Sequence, residues 1–137
     1  MSESADIELL HRAWKAISVE GDLSVLEGAL EPEATWLGVE DGQICENRKM
    51  ILTMMERNLH GGLVGRIEET VEVGGRIVVA FRPDQPRNDE RPLDQGIAYV
   101  VVTMRDGRVS EMKGCADRAA AMTYAQTAPM QGLEQSE

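Results

Sequence analysis

Glu111 is the residue of this sequence best placed to perform acid–base chemistry. It is the only carboxylate inside the last predicted strand, and Lys113 follows two positions later. If Glu111 points into an enclosed apolar interior, it can act as a general acid or base. If Glu111 and Lys113 instead share a solvated strand face, they form an ordinary surface pair. The sequence favours the surface pair, because Glu and Lys are rarely buried.

His11 and Asp117 are the other candidate catalytic residues. His11 lies beside the apolar stripe of the first predicted helix, from which an imidazole reaches the interior and can exchange a proton near neutral pH. Asp117 precedes an alanine-rich segment and occupies the N-cap position of a helix. The capping role is the simpler interpretation of Asp117, whereas an enzyme could pair His11 with Asp117.

The remaining reactive residue types favour no metal site and no cofactor. The two histidines, His11 and His60, have no acidic residue at a ligand spacing, and Cys45 and Cys115 are far apart without a Cys-x-x-Cys motif. We therefore expect two free thiols. The Gly-Gly pairs also lack the strand-to-helix context of a phosphate-binding loop.

The overall charge argues against nucleic-acid and membrane partners. The chain carries 14 basic and 24 acidic residues, a net charge of −10, so it lacks the cationic surface that phosphate groups require. The amino-terminal residues are acidic rather than apolar, and residues 97–102 form an apolar run too short to cross a bilayer. These features predict a soluble cytoplasmic protein.

The amino-terminal part of the chain predicts three helices. In the first, apolar residues recur at three- and four-residue steps until Gly21. Asp22 is the expected cap of the second, which Pro32 should end. Asn47 caps the third, over residues 48–59.

The later part of the chain alternates with a period of two and predicts strands. Gly74-Gly75 and Asp106-Gly107 are hairpin turns, because both central turn residues need a positive φ. A polar segment, 83–95, is either an extended hairpin tip or a flap, and a short helix follows Asp117. The predicted strands span 34–39, 43–45, 63–73, 76–82, 96–105 and 108–113.

Helices and strands segregated in this way indicate an α+β fold in which an antiparallel sheet packs on the amino-terminal helices. At 137 residues the chain fits one domain. We assign residues 1–125 to that domain and 126–137 to a flexible tail.

Four motifs together resemble the SnoaL-like branch of the NTF2-like superfamily, which is also called ketosteroid-isomerase-like. The resemblance covers roughly residues 5–125. The motifs are the opening helix with Trp14 and its Glu20-Gly21-Asp22 ending, the segment Leu-Glu-Pro-Glu-Ala-Thr-Trp at 30–36, the helix start Asn-Arg-Lys-Met-Ile at 47–51, and Asp106-Gly107-Arg108-Val109 followed by Asp117-Arg118.

This resemblance implies a cone-shaped half-barrel with a cavity between sheet and helices, and often a homodimer through the outer sheet face. A dimer also agrees with residues 97–104, which are apolar on both faces of a strand and need a cover on each. The acidic residues of family enzymes do not carry over. Their positions fall near Gly38, near Val100–Val101 and near Gly114, so the classical isomerase residues are absent.

The sequence therefore predicts a protein that binds a small molecule in an apolar cavity, with no cofactor. Eight methionines against a single phenylalanine suit an adaptable pocket. One alternative is a SnoaL-like isomerase, cyclase, dehydratase or hydrolase, and another is an association domain with a filled interior. The candidate ligand-binding residues are Trp14, Trp36, Met54, Met55, Tyr99 and Met112.

Overall fold

The computed structural model describes residues 5–39, 42, 44–60, 65–83 and 97–127. Most of the predicted flap at 83–95 and most of the predicted tail at 126–137 lie outside these residues. Helices and strands follow in the order α1 (Ala5–Glu20), α2 (Ser24–Ala29), β1 (Leu30–Leu37), β2 (Ile44–Cys45), α3 (Arg48–His60), β3 (Gly65–Val73), β4 (Arg76–Pro83), β5 (Ala98–Arg105), β6 (Arg108–Cys115) and α4 (Arg118–Thr127).

Local sequence signals account for the boundaries of α1 and α3. Gly21 ends α1 with a φ of +66°, and its N–H donates to the carbonyl of Ile17 at 2.9 Å. The Asn47 side chain caps α3 by accepting a hydrogen bond from the N–H of Met50 at 3.0 Å. Both boundaries agree with the sequence prediction.

The α2–β1 junction differs from the prediction. The side chain of Asp22 accepts a bond from the N–H of Ser24, but Leu23 is the N-cap. Pro32 does not end a helix, because α2 stops at Ala29 and Pro32 lies inside β1. The pairing of β1 with β6 shifts register between Leu30 and Thr35. Proline has no N–H for a regular ladder and is tolerated in such an irregular stretch.

The six strands form one sheet in the order β2-β1-β6-β5-β4-β3. The predicted α+β class and the helix-covered sheet are confirmed. The sheet is mixed rather than wholly antiparallel, because β1 runs parallel to β6. The β5–β6 hairpin turns at Asp106 and Gly107 with φ of +54° and +79°, as the Asp-Gly signal predicts.

The helices cover both faces of the sheet. We call the face under α1, α2 and α3 the inner face, and the face under α4 the outer face. Register irregularities in the β3–β4 and β5–β6 pairs contribute to the bending of the sheet around the inner face. The inner-face core is the larger, and the outer-face core consists of Val78, Ala80, Tyr99, Val101, Ala121 and Ala125.

This arrangement explains why β5 is apolar on both faces. Val100 and Val102 point to the inner face, whereas Tyr99 and Val101 point to the outer face and pack against α4. The apolar outer positions of β5 therefore have a cover, and α4 of the same chain supplies it.

Candidate functional site

Five of the six predicted ligand-binding residues lie together in the inner-face cluster. Trp14 comes from α1, Met54 and Met55 from α3, Trp36 from β1 and Met112 from β6. Trp36 stands opposite Met112 across the β1–β6 pair and opposite Cys45 across the β1–β2 pair. The structure thus converges aromatic and thioether side chains from four elements on one surface.

Trp14 attaches α1 to the sheet. Its ring meets that of Phe81 edge to face, with centroids 6.4 Å apart and planes inclined by 65°. Phe81 pairs with Ile67 and Ala98 on the neighbouring strands, so one row of apolar side chains continues across β3, β4 and β5.

The inner face is more open at one end than at the other. Near the β5–β6 turn, Val109 and Leu30 are fully buried. Further from the turn, Trp36, which is level with Met112, and Ala98, where β5 begins, are only half-buried. We call the region of the inner face from Trp36 to Ala98 the open end, because its apolar side chains are the more exposed ones.

The buried surface of the inner face is apolar. Among the described residues, the buried polar or charged side chains are Arg76, Thr103 and Ser110. Arg76 and Thr103 face outward, and Ser110 lies at the irregularity of β6, where its hydroxyl donates to the carbonyl of Thr103. Within the described part of the chain, the inner face therefore presents no buried acid or base.

Tyr99 is separated from the other predicted ligand-binding residues. Its side chain packs into the outer-face core with Val101 and Ala121. The sequence does not reveal this because residues 98–102 of β5 are apolar on both faces, so the alternation of side chains does not show which face is the inner one.

Glu111 also lies on the outer face, under α4. It stands opposite Thr103, and its carboxylate accepts a short hydrogen bond from the hydroxyl of Tyr124. Glu111 and Lys113 do share one face, but that face is not fully solvated. The ammonium of Lys113 donates to the carbonyl of Gly38 at 2.8 Å, and both side chains are half-buried.

Arg76 completes a polar cluster between the sheet and α4. Arg76 is 4% exposed, and its guanidinium donates to the hydroxyl of Thr103 at 3.0 Å and to the carbonyl of Ala125 at 3.4 Å and lies 5.5 Å from the ring centre of Tyr124. Burial, followed by the bond to Glu111, raises the pKa of Tyr124 well above its ordinary value. We call Arg76, Thr103, Glu111 and Tyr124 the outer polar cluster.

The partners of Glu111, Arg76 and Tyr124, were not predicted from the sequence. The alternation of side chains along β4 could have indicated them, because it places Arg76 on the same face of the sheet as Val78 and Ala80. That alternation places a charged residue in an apolar stripe, and a buried charge needs partners.

The three candidate catalytic residues are not brought together. His11 is half-buried on α1, one turn before Trp14, and therefore belongs to the inner-face layer. Asp117 is exposed and caps α4, its carboxylate accepting from the N–H of Ala120 at 2.8 Å. Because α1 and α4 cover opposite faces of the sheet, His11 and Asp117 do not form the pair that an enzyme could use.

Both cysteines are free and half-buried, and burial raises the pKa of each thiol, which keeps it protonated near neutral pH. No group of three or more His, Cys, Asp or Glu residues suited to a metal ion occurs among the described residues. Within the same part of the chain, no helix is both long and apolar enough to span a membrane.

The sequence matches no family model and none of the curated proteins. Its structure, in contrast, is similar to many solved structures. TerC, crystallised together with polyporic acid, has 19% sequence identity to this chain and a TM-score of 0.65, covering 90% of this chain and 100% of TerC. A candidate SnoaL-like polyketide cyclase from Jannaschia sp. CCS1 has 19% identity and a TM-score of 0.61, covering 95% of this chain and 99% of the other.

The mixed, bent sheet and its helices define the α+β cone of the NTF2-like fold. The chain has this fold, as its motifs predict, and shares it with solved structures described as SnoaL-like and NTF2-like. The fold alone does not specify an activity. A de novo designed protein with a curved β-sheet is as similar, with a TM-score of 0.66 at 11% identity over 90% of this chain and 93% of the designed one.

Proposed function

We propose that this protein binds an uncharged, predominantly apolar small molecule on its inner face, entering at the open end. The observation that carries the proposal is the composition of that face. Trp14, Met55 and Met112 are buried there, Trp36 and Met54 are half-buried, and the buried polar side chains of the described residues all lie elsewhere. A site of this kind gains affinity from apolar contact and offers no charge to a charged ligand.

Two further considerations support a ligand. Methionine side chains adapt to irregular shapes, and Met54, Met55 and Met112 meet here from two elements. TerC, which shares the fold, was crystallised with polyporic acid. We therefore expect the layer between the sheet and helices of this chain to accept a ligand.

A matched pair of variants on α3 tests the proposal. Met54 is half-buried in the inner-face cluster, whereas Met50, one turn earlier, is 42% exposed. The probe is N-phenyl-1-naphthylamine, a neutral apolar fluorophore, titrated into the purified protein. Met54→Gln preserves side-chain length but places an amide against the ligand. We expect it to weaken probe binding about tenfold, because about 1.4 kcal/mol is lost when that amide is desolvated.

Met50→Gln is the control and should leave the dissociation constant within about twofold of the unmodified protein. Absence of saturable probe binding to the unmodified protein would refute the proposal. Equal effects of Met50→Gln and Met54→Gln would refute the location of the site, because only Met54 belongs to the inner-face cluster.

An acid–base enzyme of the SnoaL-like type is the second candidate. One observation favours it, namely that His11 is half-buried in the layer of α1 that carries Trp14. The substrate in that case would be an apolar carbonyl compound that binds the same inner face. His11→Gln would then abolish turnover while leaving binding of the apolar probe intact, whereas a pure binding protein would bind the probe but show no turnover either with or without His11.

We also propose that two copies associate through the outer sheet face. Because α4 packs on β4, β5 and β6, the part of this face left to a partner is centred on β1 and β2, where Ile44 is 51% exposed beside Leu37. Sedimentation at micromolar concentration tests this. Ile44→Lys should shift a dimer towards monomer, and a monomeric unmodified protein would overturn the proposal.

A cytoplasmic location remains our expectation from the charge and composition.

A further inference from the structure

Gly114 leaves one position of the inner face without a side chain, and a neighbouring residue uses the space. Gly114 stands opposite Val100 in the β5–β6 pair, one inward-facing position beyond Met112. A Cβ atom at Gly114 would lie 3.4 Å from Cγ2 of Val39 and 3.5 Å from its backbone nitrogen. The Val39 side chain therefore lies directly over the bare backbone of β6.

Val39 is held less firmly than the residues around it. It is 37% exposed, whereas Val100 is 9% exposed and Met112 is fully buried. The backbone just before Val39 is anchored, since the ammonium of Lys113 donates to the carbonyl of Gly38. An exposed valine side chain at the end of an anchored strand can change rotamer without moving the strand.

These observations concern the open end of the site, where Trp36 and Ala98 are also only half-buried. Resting on the proposed function, we propose that Val39 and Gly114 together set the size limit of the site. The valine closes over the glycine when the site is empty and gives way to the far end of a flat apolar ligand. The atoms that meet there belong to a glycine backbone and a valine, so the pair selects by size and shape and not by charge.

Reciprocal variants at the two positions test this inference. Naphthalene and pyrene, which are flat neutral hydrocarbons of different size, compete with N-phenyl-1-naphthylamine for the purified protein. The quantity measured is the ratio of their dissociation constants. Val39→Ala enlarges the space, and we expect the ratio to shift at least fivefold in favour of pyrene. Gly114→Ala and Val39→Leu reduce the space and should shift it at least fivefold towards naphthalene.

Two control variants make the same substitutions, valine to alanine and glycine to alanine, at other positions. Val19 is 71% exposed on α1, and a Cβ atom added at Gly28 on α2 would meet nothing within 4 Å beyond its own stretch of helix. Val19→Ala and Gly28→Ala should therefore leave the ratio unchanged. Urea unfolding confirms that each variant is folded, and Val39→Leu retains the test if Gly114→Ala proves unstable.

The outcomes separate the inference from the proposed function. If the unmodified protein binds the fluorescent probe but the ratio stays within twofold in Val39→Ala and Val39→Leu, the size-limiting role is wrong and the binding function stands. If the probe does not bind at all, the proposed function fails and the inference fails with it.

Discussion

Removing the hydroxyl of Tyr124 should measurably loosen α4 from the sheet. In Tyr124→Phe the ring stays above the guanidinium of Arg76, so the cation–π contact is retained and only the hydrogen bond to Glu111 is lost. The perturbation thus isolates one contact of the outer polar cluster.

The magnitude follows from the environment of the two groups. A hydrogen bond to a charged group contributes about 1.5–3 kcal/mol when buried, and Tyr124 and Glu111 are each half-buried. We therefore expect Tyr124→Phe to lower the free energy of unfolding by about 1–2 kcal/mol. The buried apolar residues of α4 are the alanines Ala121 and Ala125, which bury little surface, so this polar contact should count for much of the docking of α4.

The assay is urea unfolding at pH 7 and 25 °C, followed by far-ultraviolet circular dichroism. A double-mutant cycle with Glu111→Gln removes indirect effects. We expect a coupling free energy of at least about 1 kcal/mol between Tyr124 and Glu111. A coupling of zero, or a Tyr124→Phe variant as stable as the unmodified protein, would refute the assignment of this bond as the contact that holds α4.

Three further predictions concern pH, capping and backbone freedom. Folding raises the pKa of Tyr124 from its ordinary value of 10.0, so the unfolded chain loses this proton first and the free energy of unfolding should fall as the pH rises above about 10. Urea unfolding at pH 8 to 11 should show a smaller fall in Tyr124→Phe. The same dependence of the unfolding free energy on pH in both proteins would contradict this. Asp117→Ala removes the side-chain cap of α4 and should lower the free energy of unfolding by about 1 kcal/mol, whereas Asp117→Asn should lower it much less. Equal decreases in urea unfolding would show that the charge of Asp117 matters rather than its hydrogen bond. Gly28→Ala should raise the melting temperature, because Gly28 is an exposed helical residue with open space around it. The expected gain in the free energy of unfolding is about 0.5–1 kcal/mol. A lower melting temperature would show that α2 needs the glycine.

The sequence predicts well the features that depend on near neighbours. Capping by Asn47, the turn at Asp106 and Gly107, and the end of α1 at Gly21 each follow from the conformational needs of one or two residues. Pro32 misleads because its usual effect assumes a regular partner, and here the β1–β6 register is interrupted around it.

The candidate site is harder to predict because it depends on which face a residue occupies. Trp14, Met55 and Met112 are assigned correctly to the interior, since helical spacing or a single alternation settles their direction. Tyr99 is not, because the outer face is also covered, and only the position of α4 distinguishes an interior residue of one face from that of the other. The favoured placement of Glu111 and Lys113 on one face away from the inner core agrees with the structure, but the cover that α4 gives Glu111 was not predicted. The path of α4 across β4 and β5 is a long-range property that no local pattern encodes.

The parallel pairing of β1 with β6 has a consequence for how the chain acquires its structure during synthesis. Thr35 meets Glu111, a contact across more than half of the polypeptide, and β2 is attached to the sheet through β1 alone. The β3–β4 hairpin can form as soon as it leaves the ribosome, and β1 can pair with β2, but these two strands can join the rest of the sheet only when β6 has emerged. Until then Trp36 has β2 as its strand partner, and Met112, which stands opposite it in the complete sheet, has not yet emerged.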